Sequence, residues 1–486
     1  MPKKELCKIP KKNEKSNRLA CLDLGTYFED TIAAIATPAG KAGIGIIRIS
    51  GNQAVSIGKK IFRPNGSSHY IKIGFECHRI YYGKIIDPAD QKIIDEVIVL
   101  PMIAPRSYTR EDIIEIHAHS GSAVLEKILN IVLQQHARIA EPGEFTKRAF
   151  LNGRIDLTQA EAIIDMINAE TESARKIALS QLEGGLRNQL IAIKTCILQS
   201  LAEIEAQIEF AEDQGEDFLN QKFLDENIYQ PLRRLEKSAE IGKILKEGIR
   251  VALAGKPNVG KSSIMNRLLC QERSIVTPFS GTTRDHIEEC FDIQGVKIRL
   301  IDTAGIRKSK NPVEVIGIKK SKAMIQNADL ILMVCDLSVS ITQEDLEIFD
   351  KIRKKKKILV FNKNDMVKYQ DFEKLPAEWK NEKIVVISAL KNDGIDKLKD
   401  AMVFKLIDQK SSEKNDILIS NIRQKQNIEK AIKAIDNAKK CYEHNGFLEI
   451  AAIEFQEAKK QIDQALGVDV SEDILEQVFK NFCIGK

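Results

Sequence analysis

No stretch of this chain stays apolar for the roughly 18 residues that a membrane-spanning helix needs. A helical channel or transporter is therefore not expected, and neither is a membrane partner. Nine cysteines are present, at positions 7, 21, 77, 196, 270, 290, 335, 441 and 483. They are odd in number, scattered, and nowhere spaced C-x-x-C, which excludes a disulfide frame and a zinc ribbon and reads as reduced cytosolic thiols. Charge of one sign is also lacking: 74 basic residues face 69 acidic ones, a net of +5. No global field demands nucleic acid, although a local basic face remains compatible with it. No apolar segment follows the Lys-rich first eighteen residues, so no signal peptide is read there. Residues 1–29 are expected to be a disordered extension, with a targeting or nucleic-acid-binding arm as the alternative, and the protein to be cytoplasmic. His117 and His119 fall at strand spacing on one face, but no further ligand cluster accompanies them, and a metal centre is not expected there. No internal repeat of fixed period stands out.

What is present suffices for about two to four domains over 486 residues, of which 43% are hydrophobic and 29% charged. Residues 30–152 read as mixed α/β. Thr31–Ala36, Gly45–Ile49, Glu96–Leu100 and Ile113–Ile116 are strand-like apolar runs, and Ser122–Leu133 reads as a helix. Near Thr158 the texture changes. Leu157, Ala160, Ile163, Ile164, Ile167, Ala174, Ile177 and Leu182 recur at helical spacing, and between 154 and 247 glycine is confined to Gly184, Gly185, Gly215 and Gly242. Residues 153–247 are thus expected to form the first half of a helical domain, and residues 406–486 its second half. Between them, 248–405 alternates strands and helices as a doubly wound sheet does. Val251–Ala254, Ile298–Ile301, Leu330–Val334, Ile358–Phe361 and Ile384–Ile387 read as strands buried on both faces.

The middle segment carries a full nucleotide-binding set. Gly255-Lys256-Pro257-Asn258-Val259-Gly260-Lys261-Ser262 fits the phosphate-loop spacing G-x-x-x-x-G-K-[ST] without a mismatch. Its glycines let backbone N–H groups close around phosphate oxygens at a helix N-terminus. Val259, Gly260 and Ser263 belong to the same cradle, Lys261 is expected to reach the β- and γ-phosphates, and the Ser262 hydroxyl to meet Mg²⁺. Asp302-Thr303-Ala304-Gly305 follows, with Asp302 where a metal-holding carboxylate belongs. Asn362-Lys363-Asn364-Asp365 names the base, because a carboxylate at Asp365 accepts from guanine N1–H and its exocyclic amine, donors adenine does not offer there. Asn362 is expected at the major-groove edge of the base, the Lys363 stem over its ring, and Ser388-Ala389-Leu390 closing the pocket.

The hydrolytic machinery has a gap. Ras-like GTPases carry a water-orienting glutamine after D-x-x-G, whereas this chain has Ile306. Some other group must stabilise the transition-state charge. Asn258, with the hydroxyls and carbonyls of Thr277-Pro278-Phe279-Ser280-Gly281-Thr282, can hold a monovalent cation in place of an arginine finger. Glu314 can position water from a distance, or equally be an exposed acid at a helix start.

These residues, together with motifs at both ends of the chain, closely resemble the MnmE (TrmE) family of tRNA modification GTPases, within the TrmE-Era-EngA-like superfamily. The match is carried by Asp30–Pro38 and Gly43–Gly51, by Ser107–Asp112, by Pro142–Arg154 running into Asp156–Ala162, and by the terminal Phe482-Cys483-Ile484-Gly485-Lys486. The resemblance implies an α/β tetrahydrofolate-binding and dimerising domain over 30–152, a helical domain, and a Ras-like P-loop GTPase domain inserted into it. It implies that Arg48, Glu115, Arg154 and Lys486 contact a 5-formyl- or methylene-tetrahydrofolate. By the same resemblance Asn258, Thr277, Phe279 and Thr282 are K⁺ ligands, Thr283 is a second Mg²⁺ position, and Glu314 is catalytic. It implies a homodimer that forms a heterotetramer with a flavin- and NADH-dependent partner, MnmG, and adds an aminomethyl or carboxymethylaminomethyl group to C5 of the tRNA wobble uridine. The chain departs from the family at Ser120 and Arg110, where glycine is usual.

Two features keep alternatives open. Cys483, three residues from the end, reads equally as a nucleophile or as a small packed residue. The run Lys351–Lys357 reads as a solvated helix end or as a contact for tRNA phosphates. Two other function classes stand beside the leading one. The first is a GTP-switched ribosome-assembly or RNA-binding factor without modification chemistry, which the lack of a G-x-x-G RNA-clamping loop disfavours. The second is a GTP-regulated mechanical dimer without a small-molecule site.

Overall fold

The computed structural model describes residues 30–65, 74–209, 221–271, 289–301, 326–367, 375–406, 417–445 and 447–486. By internal packing the chain divides into two units, one joining residues up to Ala160 with Leu466–Lys486, the other spanning Glu161–Ala465.

In the first unit seven strands form one sheet in the order β3-β4-β5-β6-β2-β1-β7. They are β1 (Thr31–Ile35), β2 (Ile44–Ser50), β3 (Phe62–Pro64), β4 (Tyr81–Ile86), β5 (Ile93–Met102), β6 (Ile113–His119) and β7 (Ala137–Ile139). All neighbours pair antiparallel except β1 with β7. Helices α1 (Ala54–Ile61), α2 (Ser122–Leu133) and α3 (Glu144–Leu151) accompany the sheet. Period-two alternation sorts its side chains. Ala33, Ile47, Ile49, Ile114 and Ile116 enter the main core with Ile57, Ile61, Ile128 and Val132 of α1 and α2. Ile32 and Ala34 point the other way, onto Ala140 and Phe145. Each fully buried isoleucine among them contributes about 1.5–3 kcal/mol.

Strands β3, β4, β7 and β9 (Glu289–Ile293) were not legible as apolar runs. β4 carries Gly83 in its middle, where a Cβ would sit 2.1 Å from the Arg63 carbonyl, so the missing side chain is what lets β3 approach. β7 is only three residues long, and in β9 (Glu289-Cys290-Phe291-Asp292-Ile293) two acids interrupt the apolar residues.

The last residues belong with this unit and not with the preceding helices. The final helix, here α13 (Glu472–Phe479), leads into a turn packed on Gly143. Gly143 has φ +69°, and a Cβ there would meet the Phe479 carbonyl at 2.8 Å and Phe482 at 2.9 Å. Its N–H donates to the Cys483 carbonyl at 3.4 Å. Packing groups the residues from Leu466 onward, within the block expected over 406–486, with the first unit.

The second unit contains α4 (Leu157–Ile167, entering from the first), α5 (Glu172–Leu182), α6 (Gly185–Glu209), α7 (Gln230–Glu247), α11 (Ile422–Asn445) and α12 (Leu448–Leu466) as its helical part. Arg423 forks onto Glu161 at 2.8 and 3.0 Å, and Gln424 joins the same carboxylate. Gly242, inside α7, allows residues 417–421 to pass, since a Cβ there would lie 1.9 Å from the Ile419 carbonyl. The nucleotide domain of this unit is a six-stranded sheet, order β13-β12-β11-β8-β10-β9, all parallel except β9–β10. Its further elements are β8 (Ile249–Ala254), α8 (Lys261–Gln271), β10 (Val296–Leu300), β11 (Leu330–Asp336), α9 (Gln343–Lys351), β12 (Lys357–Asn362), β13 (Lys383–Val386) and α10 (Ile395–Leu406). Leu330, Leu332, Val334, Ile358 and Val360 fill one layer, and Ile331, Met333, Cys335, Leu359 and Phe361 the other. Uninterrupted apolar runs are thus needed here because both faces are covered. The single tryptophan, Trp379, stacks on Phe349 in the second layer, with ring centroids 5.2 Å apart.

Among the described residues no helix is long and apolar enough to cross a membrane.

Candidate functional site

The phosphate loop leaves the end of β8 and enters α8, at the carboxyl ends of the strands where open α/β sheets hold ligands. Three residues in the left-handed region make its bend: Gly255 (φ +147°), Asn258 (+62°) and Gly260 (+98°). A Cβ on Gly255 would lie 2.2 Å from the Val334 carbonyl, and one on Gly260 would lie 2.1 Å from Asn362 Nδ2. The loop therefore needs both glycines, one to pass β11 and one to pass the base motif. Asparagine is among the few other residues that tolerate this conformation.

Lys261 donates to the carbonyls of Gly255 (2.7 Å) and Lys256 (2.6 Å). Burial draws its pKa down. A half-buried ammonium held only by neutral carbonyls gains most from an anion, which is what a phosphate supplies. Ser262 and Ser263 are exposed at the start of α8, and Val259 is buried beneath the loop.

Asn362 is 3% exposed. Its Nδ2 donates to the Val259 carbonyl at 2.9 Å and its Oδ1 accepts from Ala389 N–H at 3.0 Å. The amide thus ties the phosphate loop to Ser388-Ala389-Leu390, where the sequence reading set it at the edge of the base. Asp365 accepts from Ser388 Oγ at 2.5 Å, and that bond is the chief cause of its lowered pKa. Ser388 Oγ in turn accepts from Lys391 N–H at 3.1 Å, so the carboxylate is held charged and oriented. Asn364 N–H donates to the Ile387 carbonyl, Lys363 has φ +67°, and Leu390 is exposed. Arg267, on α8, clamps the carbonyls of Ala389 and Leu390 at 2.9 Å each. No spacing signal in the sequence singled it out.

A second constellation lies in the first unit. The β2–β6 register sets Arg48 opposite Glu115. Arg48 Nε donates to Glu115 Oε1 at 2.8 Å, and its Nη1 to the Gly485 carbonyl at 3.2 Å, bridging 437 positions of sequence. The guanidinium lies 5.6 Å from the Tyr108 ring centroid and 5.5 Å from that of Phe145. Arg154 covers Tyr108 at 4.7 Å and donates to its carbonyl at 3.1 Å. Tyr108 is thus an aromatic plate between two cations. Nothing within the Ser107–Asp112 motif itself marks Tyr108 for this role. His117 Nε2 is 3.5 Å from Glu115 Oε2 and is buried without a hydrogen bond. Lys486 N–H donates to the Cys483 carbonyl at 3.3 Å. The Cys483 side chain is exposed.

Arg110 adopts φ +62° and donates to the Asn152 carbonyl at 2.9 Å, a tether that accompanies the left-handed backbone where glycine was the expected residue. In the Lys351–Lys357 run, Lys355 donates to the Gln326 and Ala328 carbonyls, Lys357 pairs with Glu382, and Arg353 with Glu378. Half of the run's charge is therefore used within the domain.

Thr277, Pro278, Phe279, Ser280, Gly281, Thr282, Thr283, Asp302, Thr303, Ala304, Gly305, Ile306 and Glu314 lie outside the described residues, as do residues 1–29.

Comparison with known proteins covers the chain almost end to end. The family model for the GTP-binding protein TrmE N-terminus matches residues 31–154, and that for the MnmE helical domain matches 157–483. A tRNA modification GTPase MnmE from Alkaliphilus oremlandii is 43% identical over 95% of this chain and 100% of its own length. Its namesake from Carboxydothermus hydrogenoformans is 43% identical over 94% of this chain and 100% of its own. Among solved structures, the G domain of the T. maritima FeoB iron transporter is 30% identical over 32% of this chain and 98% of its own, at a TM-score of 0.24.

Proposed function

Because this chain belongs to the MnmE family of tRNA modification GTPases, and so is a GTP-hydrolysing enzyme, we propose that it couples GTP turnover to one-carbon chemistry on C5 of the tRNA wobble uridine. The observation that carries this reading is the convergence of Arg48, Glu115, Arg154 and the Gly485 carbonyl around Tyr108. Those groups fit a folate. Glu115 would accept the pterin's amide and amine donors, Tyr108 would offer a face to its ring, and the arginines would meet carboxylate, while His117 Nε2, 3.5 Å from Glu115 Oε2, makes no hydrogen bond among the described residues. When bound, a 5-formyl- or methylene-tetrahydrofolate supplies the carbon that is transferred. The Gly485 carbonyl reaches Arg48, so the residues after α13 would help to hold the ligand in place.

At the nucleotide site, Lys261 exchanges loop carbonyls for the β- and γ-phosphates of GTP, and Asp365 selects guanine with Ser388 orienting its carboxylate. Ser262 and Thr283 would hold Mg²⁺, and Asn258 with Thr277, Phe279 and Thr282 would hold K⁺. Glu314 positions the attacking water that Ile306 cannot. Tyr82 and Ile98 lie opposite each other and, with Ile44, are exposed apolar side chains on the face of the sheet that carries Arg48 and Glu115, which supports a homodimer through this sheet. The flavin- and NADH-dependent partner MnmG would complete the modification.

Nucleoside mass spectrometry of tRNA from cells lacking the gene tests the reading. Loss of the modified wobble uridine, restored by the intact gene, is expected. Unchanged wobble uridines overturn it. GTP turnover faster in K⁺ than in Na⁺ at equal concentration is expected of the cation site, and equal rates remove that assignment.

A further inference from the structure

Two lysines of the nucleotide motifs are each held by a carboxylate that belongs to no motif, and both carboxylates come from one short stretch of chain, the connection from β11 into α9. At its start, Asp336 Oδ2 accepts from Lys363 Nζ at 2.5 Å, while its Oδ1 accepts from the Ser338 N–H (2.9 Å) and hydroxyl (2.6 Å). At its end, Asp345 Oδ2 pairs with Lys256 Nζ at 2.7 Å, and Lys256 Nζ also reaches Thr342 Oγ1 at 2.9 Å. Thr342 and Asp345 close a capping box at the start of α9. Asp345 is 2% exposed; its Oδ2 also accepts from the Thr342 N–H and hydroxyl at 2.9 Å each, its Oδ1 makes no hydrogen bond among the described residues, and Lys256 supplies the cation that pairs with it.

The consequence reaches the phosphates through one bond. The Lys256 carbonyl is one of the two acceptors of Lys261 Nζ. Anchoring the Lys256 side chain fixes the peptide on which the phosphate lysine rests. On the other side, Leu337 N–H donates to the Asn362 carbonyl at 2.9 Å, so the same connection is stitched to the base motif. Burial opposes the charge on Asp336, but the bonds from Lys363 and Ser338 outweigh it and lower its pKa.

We propose that Asp336 and Asp345 are positioning residues for GTP, and that the segment between them acts as a strap holding the phosphate loop and the guanine-recognition loop at a set separation. This rests on the nucleotide-site assignment above. Neither residue touches the reacting atoms. Each acts through a lysine.

The test is steady-state GTPase kinetics and fluorescent-GTP binding on the full chain with saturating Mg²⁺ and K⁺, for Asp345→Asn, Asp336→Asn, Lys256→Met, Lys256→Arg and the double variant Lys256→Met with Asp345→Leu. Because the strap acts on ground-state placement, KM and Kd for GTP are expected to rise about tenfold in Asp345→Asn and Lys256→Met with kcat within about twofold. Lys256→Arg keeps the charge and the reach and is expected to restore tight binding. The double variant is expected to lose no more than the worse single one, as coupled partners do. Should Asp345→Asn fail to fold, Asp336→Asn and Lys256→Met carry the same expectation from less buried positions. KM unchanged in these variants, or losses that add in the double variant, overturn the strap. A wild-type chain that does not bind GTP fails the site assignment itself, and the two failures are thereby distinguished.

Discussion

The two candidate sites of this molecule are built in different ways. In the nucleotide domain, the described site residues follow the carboxyl ends of parallel strands, so each motif is a contiguous run placed by its own strand. In the first unit, the groups around Tyr108 come from separate segments of the chain. Arg48 comes from β2, Glu115 from β6, Arg154 from beyond α3, and the carbonyl that Arg48 reaches is 437 residues away. The first site is assembled by local geometry, and the second by sheet register and by where the tail lands. The second should therefore be the more sensitive to substitutions remote from the ligand.

The largest expected effect tests that difference. Arg148, 2% exposed, holds Asp30 (2.7 Å), Glu144 (3.0 Å) and Glu111 (3.1 Å) together beneath the sheet. Arg148→Met leaves Glu111 without its cation and Asp30 and Glu144 with Arg138 alone, at a cost of about 3–5 kcal/mol. Urea unfolding read by hydrogen exchange in β1 and β6 should register the loss, while KM for GTP stays at the wild-type value. A parallel rise in that KM would erase the distinction between the sites.

Next comes Asp365→Asn. Two charge-assisted bonds to guanine disappear, worth about 1.5–3 kcal/mol each. KM for GTP should rise at least roughly a hundredfold. Xanthosine triphosphate, whose base carries a carbonyl in place of the amine, should become the better substrate. The thermal stability of the first unit should not change.

A smaller effect is expected from Gly485→Ala. Gly485 has φ +92°, and a Cβ there would lie 2.5 Å from the Ile35 carbonyl and 2.7 Å from Ala36 Cα. Backbone cannot yield as a side chain can, so the tail must move, at about 1–3 kcal/mol. Calorimetry with 5-formyltetrahydrofolate should show binding weakened about tenfold, with GTP hydrolysis unaltered. Unchanged folate affinity would mean that the tail does not help to hold the ligand.

The smallest effect is the response to acid. Burial would raise the pKa of Glu144 and of Asp30, yet the Arg138 and Arg148 guanidiniums prevail and hold both below their ordinary values of 4.5 and 3.8. A carboxylate with a depressed folded pKa contributes stability that is present above its unfolded value and is lost as pH falls through the folded one. The unfolding midpoint of the first unit should thus be flat from neutrality down to about pH 5 and fall below about pH 4. Glu144→Gln should flatten that acid limb. An acid limb of unchanged steepness in Glu144→Gln would assign the loss to other carboxylates.

Much of this was legible beforehand, for identifiable reasons. Strands β8, β11 and β12 declared themselves because burial on both faces demands unbroken apolar runs, and α2 because its apolar residues repeat at helical spacing. β4 was hidden by Gly83, whose purpose is contact with β3, a neighbour that sequence does not display. Tyr108 sat inside a motif that does not mark its role, because its use depends on two arginines brought in by β2 and by the turn after α3. Arg267, Asp336 and Asp345 carried no signal, being ordinary charged residues on helices and connections until the fold sets carbonyls or lysines beside them.

By itself the sequence determined that this chain handles guanine nucleotide. The phosphate loop and the base motif are contiguous, each is a strand–turn unit a few residues long, and chemistry that local is encoded where it is used. Only the tertiary structure decided that Arg48 faces Glu115, that the last residues return to Gly143 and Ile35, and that one connection holds both motif lysines. Those relations are contacts between distant segments. They exist only once cross-strand register and close backbone approach have been chosen by the packing of the whole unit.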